Sequence, residues 1–151
     1  MHEERKVHIG VVIVTHVDYG ASLLRAAEHI LGPIQDCVSI QVDINNDVGE
    51  TVQRLTDAVA RLDTGMGVLV LTDMFGGTPT NLSLSLLGKG GEIEVLTGVN
   101  LPMLLKVFGN RNKPLHDLAE IACEAGREGI AVAGDILRSK VKKTAPQAEE
   151  N

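Results

Sequence analysis

The chain has 151 residues, 44% of them hydrophobic and 2% aromatic, so its length suits one domain with a core of Val, Ile, Leu and Ala. A formal charge of -6, with a basic cluster only near the C-terminus, excludes the basic face of a nucleic-acid binder. Two cysteines in separate segments, Cys37 and Cys123, without C-x-x-C spacing, exclude a disulfide framework and a structural zinc site and read as small buried residues in a reducing compartment.

Residues 1–6 form a charged arm. The run VHIGVVIVT, residues 7–15, is almost continuously apolar and β-branched, as a strand buried on both faces of a parallel sheet requires. It is too short to cross a bilayer and lacks a small-residue cleavage pattern, so the expected location is the cytoplasm. Residues 21–32 place Leu23, Leu24, Ala27, Ile30 and Leu31 at helical spacing and stop at Gly32 and Pro33. A second strand is expected over 38–42, then an amphipathic helix over 49–63 with Val52, Leu55, Val59 and Leu62 on one face.

The run GVLVLT, residues 67–72, predicts a third buried strand that leads into DMFGGTPTN. There Thr78 and Pro79 have the form of an N-cap followed by proline at the first helical position, opening a helix over 79–87. A fourth strand over 92–97 ends in Gly98, Val99 and Asn100, and Pro102 suits the first turn of a helix running to Phe108. A further helix is predicted over 114–125. The apolar stretch 129–136 reads as a short final strand, although Gly129, Gly134 and Asp135 leave a helix open.

Strands alternating with helices predict an α/β fold: a mainly parallel central sheet covered by helices, with four parallel strands plus a short C-terminal one. One domain over 7–138 and a flexible tail over 139–151 complete the expected organisation. In such sheets ligands bind outside the carboxyl ends of the strands, where strand order reverses. Those ends carry His16, Asp43, Asp73 with its glycine loop, and Asn100.

His16 follows the first strand directly, at the mouth of the expected crevice. Position alone leaves nucleophile and backbone-bonded loop histidine at close to even odds. Asp73 holds the equivalent place after strand three, so neighbouring strands would bring the two side chains together. A carboxylate on Nδ1–H fixes the tautomer, leaves the Nε2 lone pair as nucleophile, and stabilises the charge of a phosphoimidazole without any metal or cofactor. An aspartate that merely caps the turn is the competing reading.

Gly76, Gly77 and Thr78 enter a helix N-terminus, where unpaired N–H groups favour an anion and glycines allow close approach. The lysine of a Walker A loop is missing from this segment. His2, His8, His29 and His116 fall in the arm, a strand and helices, and read as structural or solvated; Asp18 and Tyr19 read as solvated or partner-facing residues.

Together IVTH, LTDMFGGTPTN, GVNLPML and EAGREGI, in this order and spacing over most of the chain, resemble the mannose-type enzyme IIA family of the phosphoenolpyruvate-dependent sugar phosphotransferase system. The resemblance implies that His16 is the phosphorylated histidine, Asp73 its orienting carboxylate, and Gly76, Gly77 and Thr78 the phosphate-stabilising segment. It implies phosphoryl transfer from the carrier HPr to His16 and onward to a IIB component, with the membrane permease reached only through partners. It also implies a homodimer in which the C-terminal strand, antiparallel to the others, is exchanged. Members often carry glycine after the histidine, where this chain has Val17 and Asp18. A dihydroxyacetone-kinase phosphocarrier subunit and a non-catalytic anion-binding sensor remain the alternatives.

Overall fold

The computed structural model describes residues 4–43, 45 and 47–144. In chain order the elements are β1 (Gly10–His16), α1 (Tyr19–Leu31), β2 (Cys37–Val42), α2 (Val48–Leu62), β3 (Val68–Thr72), α3 (Thr78–Leu84), β4 (Ile93–Thr97), α4 (Leu101–Phe108), α5 (Leu115–Glu128) and α6 (Ala133–Thr144). The four strands form one parallel sheet in the order β2-β1-β3-β4.

The near-continuous apolar runs of β1 and β3 are explained by their burial on both faces. Pleating sends Val11, Ile13, Leu69 and Leu71 into one layer, packed with Ala27 of α1, Met103, Leu104 and Val107 of α4, and Leu118 and Ala122 of α5. Val12, Val14, Val68 and Val70 enter the opposite layer with Leu55, Ala58, Val59 and Leu62 of α2 and Leu86 just after α3. Gly10 makes this second layer possible, because a Cβ there would lie 2.6 Å from the backbone carbonyl oxygen of Leu62.

Helix ends follow local chemistry. Asp47 caps α2 by accepting from the Gly49 N–H at 2.9 Å. Asn100 caps α4 through the Met103 N–H at 3.0 Å and donates to the Gly126 carbonyl at 2.9 Å, tying α4 to α5. Arg111 is buried at the amino ends of the strands, donating to the carbonyls of Ile9, Gln35 and Asp36 at 2.7–2.8 Å. Burial depresses its pKa, opposed by the Cys37 and Asp36 charges.

Two expected boundaries move. The ladder of β1 begins at Gly10 rather than at residue 7, because the backbone N–H groups of His8 and Ile9 go instead to the Thr64 hydroxyl and the Arg111 carbonyl. The expected strand over 129–136 does not form within the single chain: Gly129 ends α5, residues 130–132 have no sheet partner, and α6 starts at Ala133. That helix runs through residues 139–144 of the expected tail, while 145–151 lie outside the described residues. Of the expected arm, residues 4–6 are exposed and irregular, and 1–3 lie outside the described residues. Among the described residues no helix is long and apolar enough to cross a membrane.

Candidate functional site

Strand order reverses between β1 and β3: α1 leads from β1 to β2 on one side, and α2 then carries the chain back across to β3 on the other. Pairing of β1 with β3 ends at Val14 and Thr72, so Thr15 and His16 of β1 and Asp73 after β3 emerge together from the same edge of the core. His16 is the last residue of β1 rather than the first past it, and remains in register with Val42 of β2.

The turn after His16 is held by Thr15, a fully buried residue whose hydroxyl accepts from the Gly20 N–H at 2.8 Å and so binds the start of α1 to β1. A Cβ on Gly20 would fall 2.8 Å from Ile13 Cγ2, so the helix can approach this closely only with glycine there. Val17 sits at φ 43°, in the left-handed region that disfavours a β-branched residue. Its N–H reaches the Val42 carbonyl at 3.4 Å. Valine thus occupies, under strain, a conformation that glycine adopts freely.

Asp73 and His16 meet as the strand positions predict. Oδ2 of Asp73 lies 2.7 Å from His16 Nδ1 and accepts from the His16 backbone N–H at 2.9 Å, while Oδ1 accepts from the Met74 N–H at 2.9 Å. Partial burial pushes the Asp73 carboxyl pKa up; the backbone and side-chain hydrogen bonds from His16, its charge and the residue's own backbone outweigh that and bring it below its ordinary value. An ionised carboxylate only accepts, so the bridging proton resides on Nδ1, and in the neutral imidazole that leaves the lone pair on Nε2. The imidazole is 45% exposed against 12% for the carboxylate, so the pair is anchored at Asp73 and open at the ring.

The glycine loop closes against the same ring. Gly77 is the N-cap of α3, at φ -80° and ψ 167°, and its carbonyl takes the Asn81 N–H at 3.0 Å. Thr78 is therefore the first helical residue, not the cap; the cap makes no side-chain hydrogen bond, and Thr78 lies exposed at the helix start. Gly76 and Gly77 serve different ends. Gly76 has φ 80° with open space around it, whereas a Cβ on Gly77 would stand 3.2 Å from His16 Cε1 and 3.2 Å from Met74 Cγ.

Gly76→Ala should therefore cost about 1 kcal/mol of stability through its backbone conformation, read from the denaturation midpoint, with the His16 imidazole resonances unchanged. Gly77→Ala, at an angle that any residue adopts, should leave the midpoint nearly unchanged and shift those resonances as the ring gives way. Equal effects on stability from both substitutions would refute this division of labour.

The segments that leave His16 and Asp73 carry exposed apolar side chains. Met74, Phe75 and Val17 are 55%, 79% and 58% exposed, and Tyr19 is 42% exposed with its hydroxyl 3.5 Å from the Val99 carbonyl oxygen. The depression lined by Lys6, His8, Phe108 and Arg111 lies at the other, amino end of the strands. Asn100 is taken up by capping, and His8 by a 2.7 Å contact to Asp36. His116 sits exposed beside Glu120 on α5. The Asp43 carboxylate accepts from the Asn45 N–H at 3.0 Å, a turn contact.

Sequence reasoning passed over Thr72 and Thr80, buried hydroxyls 2.6 Å apart directly beneath the Asp73 turn. The available signal was the repetition of threonine just before each candidate side chain, as Thr15 before His16 and Thr72 before Asp73.

The family described as EIIA-man, PTS system fructose IIA component, matches residues 10–124 of this chain. The PTS system mannose-specific EIIAB component of Escherichia coli (strain K12) is 33% identical over 141 residues, covering 91% of this chain and 42% of that protein. The chain thus spans less than half the length of that relative. The PTS system fructose-specific EIIA component of Bacillus subtilis (strain 168) is 26% identical over 144 residues, covering 95% of this chain and 98% of that one. Among solved structures, phosphotransferase system component EIIA from Streptococcus agalactiae superposes with a TM-score of 0.77 at 29% identity, over 84% of this chain and 98% of that one.

Proposed function

From the premise that this chain belongs to the EIIA-man family of phosphotransferase-system components, we propose that it is a phosphoryl carrier which accepts phosphate from phospho-HPr on His16 and passes it to a IIB component. The observation that carries this reading is the His16–Asp73 pair: Nδ1 faces Asp73 Oδ2 at 2.7 Å, and Nε2 is left on the solvent side.

In the accepting step the Nε2 lone pair attacks phosphorus in line with the donor histidine's P–N bond, forming Nε2–P as the donor bond breaks. The Nδ1 proton stays on the ring, and the Asp73 carboxylate balances the positive charge that develops there. Gly76, Gly77 and Thr78 lead into the N-terminus of α3, and Gly77 packs against the ring, which supports their backbone N–H groups as the donors to the oxygens of the transferred group. Discharge to the IIB histidine is the same reaction run in reverse. The chain serves sugar uptake or its regulation, and reaches a permease only through its partners.

An open apolar rim suits a protein donor better than a small molecule. The chain has only three aromatic residues, and two of them are exposed in the segments that follow the site residues, Tyr19 after His16 and Phe75, with Met74, after Asp73. Incubation with phosphoenolpyruvate, enzyme I and HPr should add one acid-labile, base-stable phosphoryl group by intact mass, and a IIB component should discharge it. No adduct on folded protein in a competent relay would defeat the proposal. Reconstitution with a dihydroxyacetone-kinase acceptor separates that alternative.

A second copy of the chain is the proposed cover for the C-terminal region. Strand β4 is an open sheet edge, and Ile130, Val132, Ile136, Leu137 and Val141 are 49–78% exposed after α5. Sedimentation should show a dimer that Ile136→Glu combined with Leu137→Glu converts to a monomer; a monomeric wild type at micromolar concentration would overturn this assignment.

A further inference from the structure

Thr80, the third residue of α3, is fully buried. A threonine in a helix commonly turns its hydroxyl to the carbonyl four residues back. The Thr80 hydroxyl instead reaches six residues back, to the Met74 carbonyl oxygen at 2.6 Å, and also lies 2.6 Å from Thr72 Oγ1. The proton order follows from valence. A carbonyl only accepts, so Thr80 donates to Met74, and its oxygen is left to accept from Thr72.

Met74 is consequently held at both of its polar groups, its C=O on Thr80 and its N–H on Asp73 Oδ1 at 2.9 Å. Beyond these and the two His16 contacts to Asp73 Oδ2, little else holds this turn. Met74 and Phe75 are 55% and 79% exposed, so their side chains contribute almost no packing, and Gly76 has open space around it. The conformation of the segment that carries Asp73 thus rests on polar contacts: His16 of β1 holds Oδ2, and on the Met74 side the contact anchored in the core is the Thr80 hydroxyl.

We propose that Thr80 is a positioning residue, whose hydroxyl clamps the Met74 peptide and thereby keeps the Asp73 carboxylate aimed at His16 Nδ1. The consequence for phosphoryl transfer rests on the reading of His16 given above; the consequence for the imidazole tautomer does not. Loss of the clamp frees Met74 to turn its carbonyl to water, and its N–H then leaves Oδ1. The carboxylate gains freedom to rotate, and the proton is no longer confined to Nδ1.

The test compares Thr80→Val, close in shape but without the hydroxyl, with Thr80→Ser, which retains it. Nitrogen-15 spectra of the His16 ring should show the Nδ1–H form in wild type and Ser variant and a mixture of tautomers in the Val variant. Phosphorylation by phospho-HPr should slow about tenfold in the Val variant and remain near the wild-type rate in the Ser variant. Thr80→Ala makes the same deletion without a second methyl group and replaces Val if that variant fails to fold.

A folded variant lacking the hydroxyl, with wild-type tautomer and rate, would overturn the proposal, as would a Ser variant impaired as much as Val. Wild type that takes no phosphate would sink the functional reading alone. The tautomer comparison would still decide the role of Thr80.

Discussion

His16→Ala should take up no phosphoryl group from phospho-HPr while remaining folded. The loss should be complete because no second histidine among the described residues stands at the carboxyl edge of the sheet. His8 lies at the amino end of β1 bound to Asp36 at 2.7 Å, and His116 sits on α5 beside Glu120. Asp73 is the nearest titratable group, but its oxygens are engaged by backbone N–H groups as well as by the ring, and it is only 12% exposed. The fold should survive, because the His16 backbone N–H still binds Asp73 Oδ2 at 2.9 Å once the ring is gone. Only one side-chain hydrogen bond is removed, which costs about 1 to 2 kcal/mol. Intact mass after the relay reaction reads the first expectation and thermal unfolding the second. An adduct of wild-type yield on the folded variant would show that another residue accepts the phosphate.

How much of this site the sequence discloses depends on what fixes each residue. Strand periodicity and the rule for open parallel sheets suffice to bring His16 and Asp73 to one edge, since a strand buried on both faces announces itself through its β-branched run. Their 2.7 Å contact follows from a register in which Val14 pairs with Thr72. The cap of α3 is displaced by one residue, because Thr-Pro and Gly-Thr-Pro both satisfy the same local preferences and only the Gly77 backbone decides between them. Threonine before each candidate side chain singles out Thr72, but its pairing with Thr80 and the left-handed Val17 are not legible, since both depend on which distant groups the turns are tied to. The C-terminal segment is ambiguous for a related reason. A strand over 129–136 needs a strand to pair with, and with no such pairing made in the single chain the Leu-, Arg- and Lys-containing residues of α6 form a helix.

Asp73→Asn should slow phosphorylation by about a hundredfold or more, a larger effect than an isosteric change of one atom suggests. The cause is the number of donors directed at this side chain. Oδ2 receives the His16 N–H and Nδ1, and Oδ1 receives the Met74 N–H. An amide offers one oxygen. With that oxygen at the Oδ2 position, its NH2 group confronts the Met74 N–H; with the amide reversed, NH2 confronts the His16 N–H and selects the Nε2–H tautomer, whose outward nitrogen has no lone pair for phosphorus. Either orientation also removes the negative charge that, in the proposed mechanism, stabilises the phosphorylated ring. The same residue sets a pH signature. Because the folded carboxyl titrates below its ordinary value near 3.8, its contribution to stability is present above that pH and disappears as the pH falls through the folded value. Asp73→Asn should therefore be less stable than wild type near neutrality, with the gap closing below about pH 4 as the wild-type carboxyl is protonated. Chemical denaturation at neutral and acidic pH measures the gap, and the His16 ring spectrum measures the tautomer. A variant with the wild-type rate and a pH-independent stability difference would show that Asp73 neither orients the ring nor gains from its contact.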